Sequence, residues 1–446
     1  MKMKKTFKFL TLAVLLSMVG TVSAFAAKIV GQEMGKDGVT YKVIKLKVYN
    51  GNEVREAEVS IVSTGTPKTG QDVVNIPGEV ILNVGGTDSN GNNVPQQDIT
   101  FKVTEIKEVG YGNLNGVKTF NIPASIKEIK EGAFHNAAMQ NNTDLKINFA
   151  AGSELTTIGD YAFGNCAIKT IDMTNCDKLD LSTGKPFASK QTGENNYLEE
   201  VKLPKGIKNI GTAFAGIPTL KTLDLSKTKV TQLEDGALAN TGLTKVTIPA
   251  VTEPTVQTVK IGSNAFKNSP IETLTINAPI AAENVIAEDA FWGMPALKNV
   301  YFNGDLRTKG AVPAEAFKDS KLEKVRFNNV ATGAISDDTF KGQGNLTSVD
   351  FRGDVAGGAI GANAFAGIGA TSCATVVFRK NLTGAAAIGE RAFDGAGIDV
   401  LKFEGNVAKR PSASMPSTRF TAMPSSASRA RWALRPLASM PSTRPS

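Results

Sequence analysis

Several residue types on which enzymes and metal centres depend are scarce in this sequence. Its 446 residues include one histidine, His135, three cysteines and 7% aromatic residues. A single histidine excludes a histidine-rich metal site and leaves little room for Ser-His-Asp or Cys-His catalysis. Three cysteines cannot make a disulfide framework. We therefore expect a protein that is not an enzyme and that holds no cofactor and no metal.

The formal charge of +8 comes from the two ends of the chain. Four lysines lie within residues 1–8, and seven Lys and Arg residues follow Ala408, where no acid occurs. The rest of the chain has 39 basic and 42 acidic residues, which is a net charge of −3. The basic balance of the whole chain therefore does not indicate nucleic-acid binding.

Residues 1–27 have the pattern of a secretory signal peptide. A lysine-rich start is followed by the apolar run Leu10–Val19 and by the small-residue exit Ala24-Phe25-Ala26. The alternative is an uncleaved membrane anchor, since Phe9–Ala27 is nearly long enough to span a bilayer. No other long apolar stretch occurs in the sequence. We expect an exported product, secreted or held at the cell surface, with no membrane span after signal cleavage.

Residues 409–446 differ in composition from everything before them. They are rich in Pro, Ser, Arg, Ala and Met, and Pro411–Arg419 is nearly repeated by Pro436–Arg444, 25 positions later. One interpretation is a natural, disordered low-complexity tail. The genetic code offers another, because permitted codons for Pro411–Ser417, read one base earlier, encode Ala-Ile-Gly-Glu-His-Ala-Phe, which resembles Ala387–Phe393. We predict a frameshifted, disordered tail in place of two further repeats.

The body of the chain repeats a short motif. Ile-Gly-x-x-Ala-Phe, or a close variant, recurs with its last residue 23 to 29 positions from the next one. The copies are Ile129–Phe134, Ile158–Phe163, Ile210–Phe214, Ile261–Phe266, Ile286–Phe291, Val312–Phe317, Ile335–Phe340, Ile360–Phe365 and Ile388–Phe393. Leu181–Phe187 and Leu233–Leu238 are degenerate copies. Recurrence at this period indicates a repeat architecture.

A second motif, Leu-x-x-Val-x-Phe, follows the first after a short polar turn. The clearest copies are Leu220–Leu225, Leu243–Ile248, Ile271–Ile276, Leu297–Phe302, Leu322–Phe327, Leu346–Phe351 and Ile398–Phe403. Alternation with a period of two predicts one short strand in each repeat. One strand and one turn cannot bury an apolar face, but stacked copies with parallel strands in register can. The sequence therefore predicts a β-rich solenoid over residues 101–408.

These two motifs resemble the repeats of the BspA-like leucine-rich repeat surface proteins of Bacteroidetes. Val117–Pro123 and Val201–Pro204 match the strand-and-proline pattern of that family closely, and the resemblance covers residues 100–408. It implies a right-handed leucine-rich-repeat superhelix, and attachment to host matrix proteins, host cells or neighbouring bacteria. The chain departs from the family in its two degenerate copies and in lacking an intact C-terminal cap or sorting segment, which bears on anchoring and not on fold.

Residues 28–100 do not repeat. Alternating segments such as Glu58–Val62 and Val80–Val84 are typical of strands, and Asn90-Gly91 is a tight-turn signal. In the family that the chain resembles, a short β region of this kind precedes the repeats. We expect a small antiparallel β cap here, because the first coil would otherwise expose its apolar side.

Some short motifs resemble chemical sites but fit structural roles better. Asp88–Asn92 lacks the glycine and the final acid of a calcium loop. Gly65–Gly70 and Ser182–Lys185 lack the full spacing of a phosphate loop. Cys166 and Cys176 fit small buried positions, with a disulfide between them as the alternative.

The outward-facing residues on either side of the central valine form the candidate binding site. Stacked strands align these residues into a column on a rigid surface, and solenoids use such surfaces for protein binding. Here Tyr301 and Asn299 stand beside Lys324 and Arg326, and Tyr and Arg are enriched at binding hot spots. The alternative for each residue is ordinary solvated strand surface.

The pattern as a whole favours an exported, monomeric, non-catalytic protein that mediates adhesion. Its partner is expected to be a host or bacterial surface protein or an extracellular-matrix protein. Three alternatives stay open. A spacer or stalk would bind nothing through Tyr301 and Arg326, and a glycan-capture protein would need more exposed aromatic residues than Trp292 and Tyr301. An enzyme hidden in residues 28–100 would lack any histidine or cysteine there.

Overall fold

The computed structural model of the chain describes residues 29–37, 39–49, 53–64, 72–87, 93–107, 117–135, 145–190, 197–250, 258–384, 386–407, 420–422 and 431–434. The chain forms two compact units. The first comprises Met1–Leu179 and Gly184–Leu198, and the second comprises Asp180–Thr183 and Glu199–Ser446. Both units are built from β-strands joined by turns.

The long strands of the first unit all lie before residue 107. They are β1 (Glu33–Lys36), β2 (Val39–Tyr49), β3 (Glu53–Thr64), β4 (Val73–Asn75), β5 (Glu79–Thr87), β6 (Asn93–Ile106), β7 (Thr119–Ile122), β8 (Glu128–Ile129), β9 (Lys146–Phe149), β10 (Thr157–Ile158) and β11 (Thr170–Asp172). β6 has 14 residues, whereas β7 has four and β8 has two. The change in strand length marks where the repeats begin.

The N-terminal strands pair mainly antiparallel, as the sequence predicts for this region. β1, β2 and β3 pair antiparallel in chain order, and so do β5 and β6. The structure adds a parallel pair between β3 and β6, in which Val59 lies opposite Val103. β6 also continues past residue 100 into the repeats, so the cap and the first coil share this strand. The turn signal Asn90-Gly91 lies outside the described residues.

Two parallel ladders carry the repeats of the first unit. β4, β7, β9 and β11 form one of them, with Phe120 opposite Ile147. β6, β8 and β10 form the other, with Ile129 opposite Ile158. The second ladder is built by the first residues of Ile-Gly-x-x-Ala-Phe, so a coil contributes to two walls of the solenoid.

The second unit is also built from short strands. They are β12 (Glu200–Lys202), β13 (Thr222–Leu223), β14 (Gln232–Leu233), β15 (Lys245–Ile248), β16 (Lys260–Ile261), β17 (Thr273–Ile276), β18 (Asn299–Phe302), β19 (Lys324–Phe327), β20 (Ser348–Phe351), β21 (Val355–Ala356), β22 (Ala374–Phe378), β23 (Leu382–Thr383), β24 (Ile398–Phe403), β25 (Phe420–Ala422) and β26 (Arg431–Leu434). β15, β17, β18, β19, β20, β22 and β24 pair in this order as a parallel sheet. This sheet confirms the β-solenoid that the sequence predicts.

Two further ladders complete the coils of the second unit. One joins the leading residues of successive Ile-Gly-x-x-Ala-Phe copies, with parallel bridges from Ile335 to Ile360 and from Ile360 to Ile388. The other joins Leu306 to Val330 and Val330 to Val355, and it continues through β21 and β23. A coil here is therefore hydrogen-bonded to its neighbours on three sides.

Stacked phenylalanines fill the interior of the second unit. One column is formed by the last residue of Ile-Gly-x-x-Ala-Phe, and its ring centroids lie 4.9–6.1 Å apart through Phe266, Phe291, Phe317, Phe340, Phe365 and Phe393. A second column ends the strands, with centroids 4.5–5.5 Å apart through Phe302, Phe327, Phe351, Phe378 and Phe403. All these rings are buried. Such pairs add about 0.5–1.5 kcal/mol each beyond their burial.

Where a copy of Ile-Gly-x-x-Ala-Phe has its glycine, the neighbouring coil approaches closely at that position. A Cβ atom at Gly361 would lie 2.5 Å from the backbone nitrogen of Asp337, one coil earlier. Real Cβ atoms do not approach backbone atoms that closely. Close packing therefore explains the glycine in the copies that have it, whereas other copies have Lys130, Ala287, Pro313 or Ser336 at this position.

The three cysteines are free thiols. Cys166 is buried, with its Sγ against the backbone oxygen of Phe134. Burial raises the pKa of Cys176 to about 11. The disulfide between Cys166 and Cys176, the alternative in the sequence analysis, is not formed, and both residues fill small interior positions.

The ends of the chain are described only in part. The signal-peptide segment, residues 1–27, lies outside the described residues. In the tail, β26 pairs antiparallel with both β24 and β25. The rest of 409–446 lies outside the described residues, and the frameshift stays a prediction. In the described part of the chain, no helix has the length and apolar character needed to cross a membrane.

Candidate functional site

Strand alternation gives the parallel sheet of the second unit a buried side and an outer side. In β18, β19 and β20, buried residues alternate with residues that are half-exposed or exposed. Pairing in register aligns outward residues in three columns. Two columns come from β18, β19, β20, β22 and β24, and the third comes from the residue that follows each of these strands. These columns, which we call the outer face, are Asn299, Lys324, Ser348, Thr375 and Val400; Tyr301, Arg326, Asp350, Val377 and Lys402; and Asn303, Asn328, Arg352, Arg379 and Glu404.

The structure brings together the four residues that the sequence singles out. Asn299 lies opposite Lys324, and Tyr301 lies opposite Arg326. The Cζ atom of Arg326 lies 4.5 Å from the centroid of the Tyr301 ring, which is the distance of a cation–π contact. Asn299 donates a hydrogen bond from Nδ2 to Oγ1 of Thr273 at 3.2 Å. Whether these four residues bind a ligand stays a prediction.

Asp350 is the centre of a charged network that extends the same face. Its Oδ1 accepts a hydrogen bond from Nε of Arg379 at 2.6 Å, and its Oδ2 accepts one from Nε of Arg352 at 3.0 Å. Nε of Arg326 lies farther away, 3.9 Å from Oδ2. Three guanidinium groups therefore surround one carboxylate, whose side chain is only 15% exposed.

A second carboxylate, Glu404, ends the network. It pairs with Nη1 of Arg379 at 3.6 Å and with the ammonium group of Lys402. The hydrogen bond to Asp350 is the main cause that raises the pKa of Arg379, and the charges of Asp350 and Glu404 add to it against the effect of burial. The guanidinium group is thus held in a fixed position as well as fully charged.

Positive charge is in excess on the outer face. Its three columns contain five cationic side chains and two carboxylates. Lys324 is exposed and forms no ion pair with any residue that the structure describes. Because opposite charges do not balance within the face, the face attracts negatively charged groups.

Arg352 and Arg379 are not among the site residues that the motif predicts. Each stands directly after the last Phe of its strand, and the alternation continues for that one residue. The strand containing Val377 was also overlooked, because Cys373 stands where the motif has Leu. Extending each motif copy by one outward position would have found both arginines.

The described residues contain no group of three or more His, Cys, Asp or Glu side chains that could hold a metal ion. His135 lies at the end of a turn in the first unit, half-exposed. The candidate site is thus a charged surface on a regular sheet.

Short parallel strands in stacked ladders and columns of buried, stacked Phe residues define a leucine-rich-repeat solenoid. The chain belongs to the family described as BspA type leucine rich repeat region, which matches residues 104–183, 189–258, 259–399 and 333–418 with six copies. Proteins of this kind are associated with protein–protein interaction or a role at the cell surface. No curated protein matches the chain.

Two solved structures are similar to the chain at low identity. The pneumococcal vaccine antigen PcpA is 17% identical, with 84% of this chain and 88% of that chain covered and a TM-score of 0.35. A leucine rich cell surface protein from Faecalibacterium prausnitzii is 16% identical, with 85% and 95% covered and a TM-score of 0.33. Neither similarity bears on what this chain binds.

Proposed function

We propose that this chain is an exported, non-catalytic recognition protein that binds a protein on a host or bacterial surface, or in the extracellular matrix, through its outer face. The observation that carries the proposal is the Tyr301–Arg326 stack beside the Asp350 network. Tyr and Arg side chains held by their neighbours lose little conformational entropy on binding, and such residues dominate binding energy at protein interfaces. For an exported repeat protein, binding to a surface or matrix protein results in adhesion.

Export is supported by the sequence of residues 1–27, with its basic start, apolar run and small-residue exit. The Bacteroidetes origin rests on the resemblance of the repeats alone. We propose that the exported protein acts as a monomer, since the buried residues of each coil are covered by the neighbouring coils.

Glycan capture is the weaker alternative. Sugar rings stack on exposed aromatic faces, and Tyr301 is the single aromatic residue of the outer face. One side of its ring is covered by Arg326. Trp292 lies on a turn, where Lys318 Nζ lies 5.4 Å from the ring centroid. Neither residue offers the open platform that a glycan site needs.

The test compares the protein with a double variant, Tyr301→Ala with Arg326→Ala. Binding to immobilised fibronectin, laminin and collagen, and to whole epithelial cells, is measured by biolayer interferometry and by cell adhesion. We expect at least one of these surfaces to bind the protein, and the double variant to lose about tenfold or more in affinity, which corresponds to about 1.4 kcal/mol.

Lys309→Ala is the matched control, because Lys309 is an exposed turn residue away from the outer face. This variant is expected to bind like the unaltered protein. Equal binding by the double variant and the control on every surface would favour the spacer and would refute recognition through the outer face.

A further inference from the structure

We propose that the outer face binds an acidic peptide segment of its partner, and that Lys324, Arg352 and Arg379 contact the carboxylates of that segment. The inference rests on the proposed function, because it names the chemistry of the partner at the same face. It follows from the way the arginines are held, from the charge of the face and from the apolar residues between the charges.

Asp350 positions the arginines without using up their donors. Both Arg352 and Arg379 reach it through Nε. A guanidinium group has five N–H donors, and its two terminal nitrogens form a fork that matches a carboxylate. The side chains of Arg352 and Arg379 are 50% and 44% exposed. The fork of Arg352 is therefore open to a ligand while its Nε is fixed.

The carboxylate of Asp350 cannot neutralise the groups around it. Its two oxygens already accept bonds from two arginines, and Arg326 adds a third positive charge at 3.9 Å. Lys324, on the strand next to Asp350, has no acidic partner among the described residues. Carboxylates from a ligand would complete this arrangement, since charge-assisted hydrogen bonds to Arg are among the strongest in proteins.

Apolar residues within the face favour a peptide over a polyanion. Val377 lies between Asp350 and Lys402 in the second column, and Val400 is 36% exposed in the first. A sulfated glycan or a nucleic-acid backbone gains nothing from these positions. A peptide with both carboxylate and aliphatic side chains can form charge-assisted hydrogen bonds with the arginines and apolar contacts with the valines. Residues 9–408 have a net charge of −3, which also disfavours binding of a long polyanion.

The test uses a fluorescein-labelled peptide in which Glu alternates with Leu and Ser, and a twin peptide with Gln in place of every Glu. Binding to the whole purified protein is followed by fluorescence anisotropy at low and at physiological salt. We expect the Glu peptide to bind at least tenfold more tightly than its twin. Salt should weaken its binding, because both partners are charged.

Three single variants sharpen the test. Arg352→Gln and Lys324→Gln each remove one charge from exposed positions and are expected to weaken Glu-peptide binding about three- to tenfold. Lys309→Gln removes the same charge from a turn outside the outer face and should change binding less than twofold. Circular dichroism and thermal unfolding of each variant check that the fold is retained.

Two outcomes would overturn the inference. The first is equal binding of the Glu and Gln peptides. The second is an equal effect of Lys309→Gln and Arg352→Gln, which would reveal non-specific attraction between the peptide and the whole chain. Heparin is tested in the same assay. If heparin binds, Arg352→Gln weakens that binding and the Glu peptide does not bind, the outer face is assigned to sulfated glycans instead.

The result also separates this inference from the proposed function. If the Tyr301→Ala and Arg326→Ala variant loses matrix or cell binding while the Glu peptide fails to bind, recognition stands and the acidic segment is wrong. If that double variant keeps all its binding and the peptide fails as well, both proposals are wrong.

Discussion

The outward residues of the two units differ in chemistry although their strands are alike. In the first unit, Asn75, Asn121 and Asn148 stand in register. Asn121 donates a hydrogen bond from Nδ2 to Oδ1 of Asn75 at 2.6 Å, and Asn148 donates one from Nδ2 to Oδ1 of Asn121 at 2.8 Å. In the second unit, the outer face has Tyr301, Arg326 and Asp350 at the corresponding outward positions. These three Asn residues, which we call the amide ladder, hydrogen-bond to one another, whereas the charged columns of the outer face have more cations than carboxylates.

The comparison shows which positions specify the fold and which are free for function. Buried residues on alternate strand positions are of one kind in both units, because a coil has to bury them against its neighbours. The outward residues face solvent in both units, so the fold tolerates amides in one and charges in the other. We therefore expect ligand binding where the hydrogen bonds and charges of the outward residues are not balanced by neighbouring outward residues.

The largest expected effect comes from the interior, which the two units share. Phe134→Ala and Phe340→Ala each remove a buried ring that stacks on its neighbours, Phe163 at 5.3 Å in the first case and Phe365 at 4.9 Å in the second. Each substitution should lower the free energy of unfolding by about 3–5 kcal/mol.

Urea unfolding followed by circular dichroism measures both variants. Losses of similar size would show that the interior carries the stability of both units. A loss below about 1 kcal/mol for one of them would mean that its ring column is not a packed core.

The interior is also what the sequence predicts best. Ile129, Phe134 and their counterparts recur because close packing admits few alternatives, so pattern alone located the coils and the direction in which their residues point. The outer residues obey no such constraint. A motif extended by one position places Arg352 and Arg379 on the outer side, but their shared contact with Asp350 depends on side-chain geometry that the pattern does not specify.

The second prediction concerns Asp350. Asp350→Asn leaves three guanidinium groups close together without the carboxylate between them, and it should lower the free energy of unfolding by about 1–3 kcal/mol at low salt. Raising the ionic strength should recover part of this loss, since salt screens the repulsion between the arginines. Thermal unfolding at two salt concentrations measures both effects.

Asp172→Asn is the matched change in the first unit. Asp172 is exposed and accepts hydrogen bonds through Oδ1 from the backbone and hydroxyl groups of Thr174, and an amide oxygen accepts them as well. This variant should lose less than about 0.5 kcal/mol, with little dependence on salt. An equally large loss at both positions would contradict the view that Asp350 is needed to hold together guanidinium groups that repel one another.

The third prediction is a pH dependence that belongs to the first unit. Burial alone would raise the pKa of Glu58, but the hydrogen bond and charge of Lys127, the charge of Lys45 and the hydroxyl of Thr104 outweigh it, so the pKa lies below its usual value. A depressed pKa stabilises the fold above the unfolded value of about 4.3 and loses that contribution as the pH falls through the folded value.

Glu58→Gln should therefore destabilise the protein by about 0.5–1 kcal/mol at pH 7, and the difference from the unaltered protein should shrink at pH values below about 4. Urea unfolding across this pH range measures it. A difference that stays constant with pH would show that the ion pairs of Glu58 with Lys127 and Lys45 do not contribute.

The smallest effect is expected for the amide ladder. Asn121→Ser breaks two hydrogen bonds, to Asn75 and from Asn148, but both are exposed, and water replaces them at little cost in free energy. We expect a loss below about 0.5 kcal/mol in urea unfolding and no change in binding to the Glu peptide. A loss above about 1 kcal/mol would mean that the ladder supports the fold, and a loss of peptide binding would mean that ligands reach the first unit too. Either result would contradict the contrast between the amide ladder, whose side chains hydrogen-bond to one another, and the outer face, which attracts a partner.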